Sequence, residues 1–88
     1  MAQTLLLYTT AGCHLCEQAE EVLNTVLAGN PALHWTPVEI SDDPALVEAY
    51  GLRIPVIRLQ GRQSDLGWPF DEATVSDYLA RMPSPPQA

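Results

Sequence analysis

The stretch Leu5–Leu23, LLLYTTAGCHLCEQAEEVL, decides how this chain folds, because the hydrophobic period changes inside it. It opens within TLLLYT, Thr4–Thr9, a continuous apolar run of strand length. Such a run suits a strand covered on both faces, and so a central place in a sheet. From Cys13 onward Leu15, Ala19, Val22, Leu23 and Val26 recur at spacings of three and four, which predicts a helix with one apolar stripe. Gly29, Asn30 and Pro31 end it. Both cysteines of the chain, Cys13 and Cys16, stand where the strand feeds the helix.

Working outward, LHWTPVEI (Leu33–Ile40) reads as a second strand. Pro37 cannot donate to a ladder, so this strand belongs at an edge. Asp42 or Asp43 can cap a short helix through PALVEAY, with Pro44 in its first turn and Gly51 after its end. PVIRL (Pro55–Leu59) is a third strand, and a tight turn near Gly61 leads to a short fourth. Asp71 caps a last helix whose buried face is Val75, Tyr78, Leu79 and Met82. Residues 1–82 then form one domain and residues 83–88, PSPPQA, a flexible tail.

The order is β-α-β-α-β-β-α. A right-handed crossover makes the first two strands parallel, and a closing hairpin adds two antiparallel ones. The expected fold class is α/β, a four-stranded mixed sheet of order 2-1-3-4 with helices on both faces. An 88-residue chain makes one small domain with a thin core.

Charge removes several function classes. The net charge is −7, with no lysine and only Arg53, Arg58, Arg62 and Arg81 as fixed cations, so nucleic acid is not an expected partner. No uncharged stretch is long enough to span a membrane, and the N-terminal apolar run is too short for a signal peptide. The reading is a monomeric cytoplasmic protein, in which a lone cysteine pair is more often catalytic or metal-binding than a structural staple. A closed zinc site needs four ligands, and the chain adds only His14 and His34, on different elements, so no metal is assigned.

Two cysteines three apart at a helix start share a face and lie within disulfide reach. Cys13 meets the unpaired N–H groups and positive end of the helix dipole, which favour its thiolate, while Glu17 four residues on opposes it. Cys13 is the expected nucleophile and the more shielded Cys16 the resolving thiol. His14 is read as an exposed residue that tunes them, and His34 as structural. Tyr8, Trp35, Tyr50 and Phe70 are read as packing residues. Trp68, held between Gly67 and Pro69, is placed either in packing or at the rim of the site.

Three stretches, CHLC at the strand-to-helix junction, RIPV at Arg53–Val56 and LGWPFDEATVSDYL at Leu66–Leu79, resemble the glutaredoxin-like branch of the thioredoxin fold. The resemblance runs from Thr4 to about Met82. It implies a redox dithiol at Cys13 and Cys16 and a cis-proline loop at Ile54–Pro55 facing it, with the Ile54 backbone open to an extended substrate. It also places His14, Arg53, Gly67, Trp68 and Asp71 around the substrate, with Arg53 meeting a carboxylate and Gly67 and Asp71 in the region of a glutamyl group. Where glutaredoxins commonly carry Pro-Tyr between the cysteines and basic residues nearby, this chain has His14 and Leu15, then Glu17, Glu20 and Glu21.

The implied function is a thiol-disulfide oxidoreductase that works through a mixed disulfide without a bound cofactor. Glutathione or a thioredoxin-type reductant supplies electrons, and a disulfide-containing protein or a glutathione-type molecule is the substrate. Two other readings stand beside it: a non-enzymatic protein-binding module on the same fold, and an iron–sulfur cluster held between two chains through Cys13 and an external thiol.

Overall fold

The structure, a computed structural model, describes residues 3–80. Met82 and the tail read at 83–88 lie outside the described residues, as does the end of the domain at 82. The elements run β1 (Gln3–Thr9), α1 (His14–Leu27), β2 (Leu33–Glu39), α2 (Pro44–Tyr50), β3 (Val56–Leu59), β4 (Leu66–Gly67) and α3 (Glu72–Ala80). A single 3-10 turn at Ile40–Asp42, not foreseen, joins β2 to α2.

The sheet order is β2-β1-β3-β4. β1 pairs parallel with β2 and antiparallel with β3, and β3 pairs antiparallel with β4. Thus the apolar first strand is central, and Pro37, opposite Leu7, lies on the edge strand, where its missing donor costs no ladder bond. This is the four-stranded α/β arrangement read from the sequence.

Alternation along β1 splits the core in two. Leu5 and Leu7, with Ile57 and Leu59 of β3, pack against Ala19, Leu23 and Leu27 of α1 and Val75 and Tyr78 of α3. Tyr8 and Val56, with Leu6, face Leu46 and Tyr50 of α2 on the other side. Helices therefore cover both faces. The buried α1 stripe is Cys16, Ala19, Leu23 and Leu27, with Val22 and Val26 packed partly buried beside it; of the expected set only Leu15 faces solvent. Leu15 is 44% exposed.

Two side chains tie the edges together. Trp35 Nε1 on β2 donates to Asn24 Oδ1 of α1 at 2.8 Å. Tyr78 accepts Leu59 N–H at 3.0 Å and donates to the Ser64 carbonyl at 2.7 Å. That hydroxyl satisfies the β3 donor beyond the end of the two-residue β4, so the strand can stop short with the ladder still paired. Among the described residues no helix is long and apolar enough to cross a membrane.

Candidate functional site

The β1–α1 junction builds the centre of the site. Gly12 has φ +81°, a backbone state L side chains rarely adopt, although a Cβ there would meet nothing within 4 Å. Glycine is needed for the turn and not for space. The turn sets Cys13 as the N-cap of α1 (φ −88°, ψ 105°), with its Sγ accepting the Cys16 N–H at 3.1 Å. Sulfur thus occupies the place of a capping oxygen, over an otherwise unpaired backbone donor.

Cys13 and Cys16 are joined in a disulfide with Cα atoms 5.2 Å apart. Cys16 is 2% exposed, whereas Cys13 is only half-buried. Both cysteines line the cleft beside them, but Cys13 is the more exposed of the two. His14, the first residue of α1, is exposed. Beside the disulfide lies an open cleft of about 260 Å³, lined by Thr9, Thr10, Gly12, Glu17, Glu20 and Glu39 among others.

The RIPV loop precedes β3. The Ile54–Pro55 peptide is cis, as is Trp68–Pro69, which the sequence reading did not anticipate. Pro55 is fully buried, and its carbonyl accepts the Trp68 N–H at 3.0 Å, binding the loop to the end of β4. The Ile54 N–H is already donated to the Tyr50 carbonyl at 3.0 Å, so an extended ligand would find that donor engaged.

Arg53 does not point at free space. Its guanidinium forms a two-pronged ion pair with Asp65 (2.5 and 3.3 Å) and lies over the Tyr50 ring at 5.8 Å. Asp65 keeps the Arg53 cation well fixed in its charged form. Gly67 passes beneath it, where a Cβ would stand 3.5 Å from Nη2. Trp68 is half-buried and meets Phe70 edge-to-face at 5.0 Å, so its ring belongs to the packing around the core. Asp71 caps α3 by accepting the Thr74 N–H (2.8 Å) and hydroxyl (2.7 Å), which hold its carboxyl below the usual range.

The sequence reading missed two clusters. Tyr8 and Tyr50 stack at 4.2 Å, and Arg58 donates twice to the Tyr8 hydroxyl (2.9 and 3.2 Å). Burial and the nearby Tyr8 push the Tyr50 phenol upward. Glu39, at the end of β2, faces the dithiol cleft from a strand whose sequence carries no sign of it. Only the parallel β1–β2 register, which sets Thr9 opposite Glu39, brings it there.

A family model, the Glutaredoxin-like domain (DUF836), matches residues 4–80. The chain belongs to the glutaredoxin-like domain family. Among solved structures, this glutaredoxin-like chain is similar to the structural-genomics target protein XcR50 from X. campestris, at 43% identity and a TM-score of 0.74, over 90% of this chain and 99% of that one. It is also similar to a mutant thioredoxin from Halobacterium salinarum (26% identity, TM-score 0.65, 86% and 70% covered). The thioredoxin of Trichomonas vaginalis, 20% identical with a TM-score of 0.51 over 89% and 74%, shares the fold. No curated protein matches the chain. The fold is thioredoxin-like, and the pair at Cys13 and Cys16 is the C-x-x-C of a redox-capable family.

Proposed function

We propose that this protein is a thiol-disulfide oxidoreductase. The observation that carries the reading is the asymmetric Cys13–Cys16 disulfide, with the half-buried sulfur at the helix N-cap and the other shielded behind it. In the reduced protein Cys13 thiolate attacks one sulfur of a substrate disulfide, forming a mixed disulfide and expelling the first substrate thiolate. Cys16 thiolate then attacks Cys13 Sγ, the second substrate thiolate leaves, and the protein disulfide of this structure results. Two electrons pass from the dithiol to the substrate. Glutathione or a thioredoxin-type dithiol returns them, in the reducing cytoplasm where a monomer of this kind would work.

Around the sulfurs, the Ile54 carbonyl and the rim near His14, Gly67 and Trp68 receive the substrate chain, while Arg53 and Asp71 shape the loops from their internal contacts. The test is turnover of a small disulfide with a supplied reductant. Cys13→Ser should abolish it, and Cys16→Ser should trap the mixed disulfide in mass spectra. Full turnover by Cys13→Ser would refute the reading.

A second reading, a docking module without turnover, is favoured by one observation: Leu15, one residue before Cys16, and Leu52, one residue before Arg53, are 44% and 105% exposed. A redox titration separates the two. A Cys13–Cys16 couple that does not cycle within the cellular poise would leave the module.

A further inference from the structure

The cleft beside the disulfide has walls of one sign. Glu17 and Glu20 reach it from α1 and Glu39 from the end of β2, and no basic side chain lines it. Glu39 is fixed in place: its carboxylate accepts the Ser41 N–H at 3.2 Å and caps the turn at Ile40–Asp42. The Thr10 hydroxyl, with the Ser41 and Ala11 N–H groups, holds it below the usual carboxylate range, so it is ionised at neutral pH.

The cations of the chain are committed elsewhere. Arg53 is paired with Asp65, Arg58 binds Tyr8 and the Arg62 carbonyl (2.8 Å), and Arg62 donates to the Tyr78 carbonyl (2.7 Å) beneath its ring contact with Tyr78. Arg81 lies outside the described residues, and the sequence has no lysine. Among the described residues no arginine or histidine lines the cleft with the three carboxylates.

We infer that this dithiol acts on disulfides flanked by positive charge, in peptides with basic side chains beside the cystine, and discriminates against anionic disulfides such as that of glutathione. The inference rests on the redox reading above and names its substrate class. The disulfide makes the site; Glu17, Glu20 and Glu39 decide what approaches it. A charged group beside the scissile bond passes within a Debye length of all three, where attraction or repulsion is screened but not abolished.

Single-turnover oxidation of the pre-reduced protein tests this with three probes: cystamine (cationic), bis(2-hydroxyethyl) disulfide (neutral) and dithiodipropionate (anionic). The dithiol itself supplies the two electrons, so no reductant system enters. Each rate is divided by that of dithiothreitol with the same disulfide, which cancels leaving-group differences. The expected normalised order is cationic, neutral, anionic, with the ends separated by roughly tenfold at low salt and converging in 1 M NaCl. In the double variant Glu17→Gln/Glu20→Gln the ratio of cationic to neutral should fall by about threefold, the neutral probe absorbing any change in Cys13 reactivity. Equal normalised rates for the three probes, or preference for the anion, would overturn the inference while leaving the redox reading intact. No reaction with any probe would overturn the redox reading and the inference with it.

Discussion

Removing one oxygen atom from Tyr78 should cost this domain a large share of its stability. In Tyr78→Phe the ring keeps its place, 3% exposed in the core between β3 and α3, but two hydrogen bonds vanish. The Leu59 N–H lies in the core with no strand beyond it, since β4 covers only Leu66–Gly67, so it is left buried and unpaired. Such a donor costs about 1–3 kcal/mol. The Ser64 carbonyl sits on an exposed loop residue, where water can replace the phenol, and adds roughly 0.5 kcal/mol. The sum, about 1.5–3.5 kcal/mol, is set against the roughly 4–13 kcal/mol typical of a domain this size. With a urea slope near 1 kcal/mol/M for small proteins, the midpoint should fall by about 2 M at constant slope. Urea unfolding of the oxidised protein, followed by tryptophan fluorescence, reads this directly. A midpoint within about 0.3 M of the parent would refute the assignment of Tyr78 as the group that closes the β3 ladder.

Other outcomes follow from the same contacts. In the reduced protein a limiting alkylating reagent should modify Cys13 well before Cys16, since Cys16 is 2% exposed; peptide mapping checks the order, and Glu17→Gln should speed the first event. Asp65→Asn removes the ion pair to Arg53, but with the arginine side chain 46% exposed the loss should be only about 0.5 kcal/mol and should shrink in 1 M salt, as paired urea titrations would show. Asp71 has a carboxyl held below its unfolded value by Thr74, and Glu39 by Thr10 and Ser41. The unfolded chain therefore binds these protons first on acidification, so the stability they give is present above the unfolded carboxylate range near pH 4 and is lost as pH falls through the lower folded values. Thermal melts from pH 6 to pH 2.5 should decline, and Asp71→Asn should flatten that decline; an unchanged profile would contradict the cap.

Much of the fold was legible because the signals were local. The uninterrupted TLLLYT run and Pro37 place β1 and β2 in the sheet without any distant information, and Asp43 and Asp71 cap the helices they precede. What escaped was non-local. Leu15 reads as part of the helix stripe because it is as apolar as Leu23, and only the packed structure shows that it is exposed while Cys16 beside it is buried. Arg53 read as a ligand for a substrate carboxylate because nothing in the sequence says that Asp65, across the turn of the hairpin, is within reach. Glu39 reads as one more polar residue at the end of an edge strand; its place in the cleft depends on a parallel pairing thirty residues apart in sequence.

The arginines connect these observations. A chain this acidic has few cations to deploy, and the described ones, Arg53 before β3, Arg58 on β3 and Arg62 after it, are each in contact with an aromatic ring, with Arg53 also paired to Asp65. Moving any one to the dithiol would leave a core-facing tyrosine or carbonyl without its partner, a cost of the same order as the hydrogen bond lost. The fold therefore keeps its arginines for packing and leaves Cys13 Sγ with the Cys16 N–H contact to favour the thiolate, against three carboxylates in the same cleft. Those opposing fields act differently on the two steps of exchange. The N–H contact at Cys13 is short and salt-insensitive and governs attack once the substrate is in place, whereas the carboxylates act through solvent on whatever approaches. Raising ionic strength should thus alter the dependence of rate on substrate charge far more than the rate with a neutral disulfide. Glu17 also bears on Cys13, but a neutral probe whose rate moved with salt as strongly as a charged one would show that the carboxylates act chiefly through Cys13 and not on the approaching substrate.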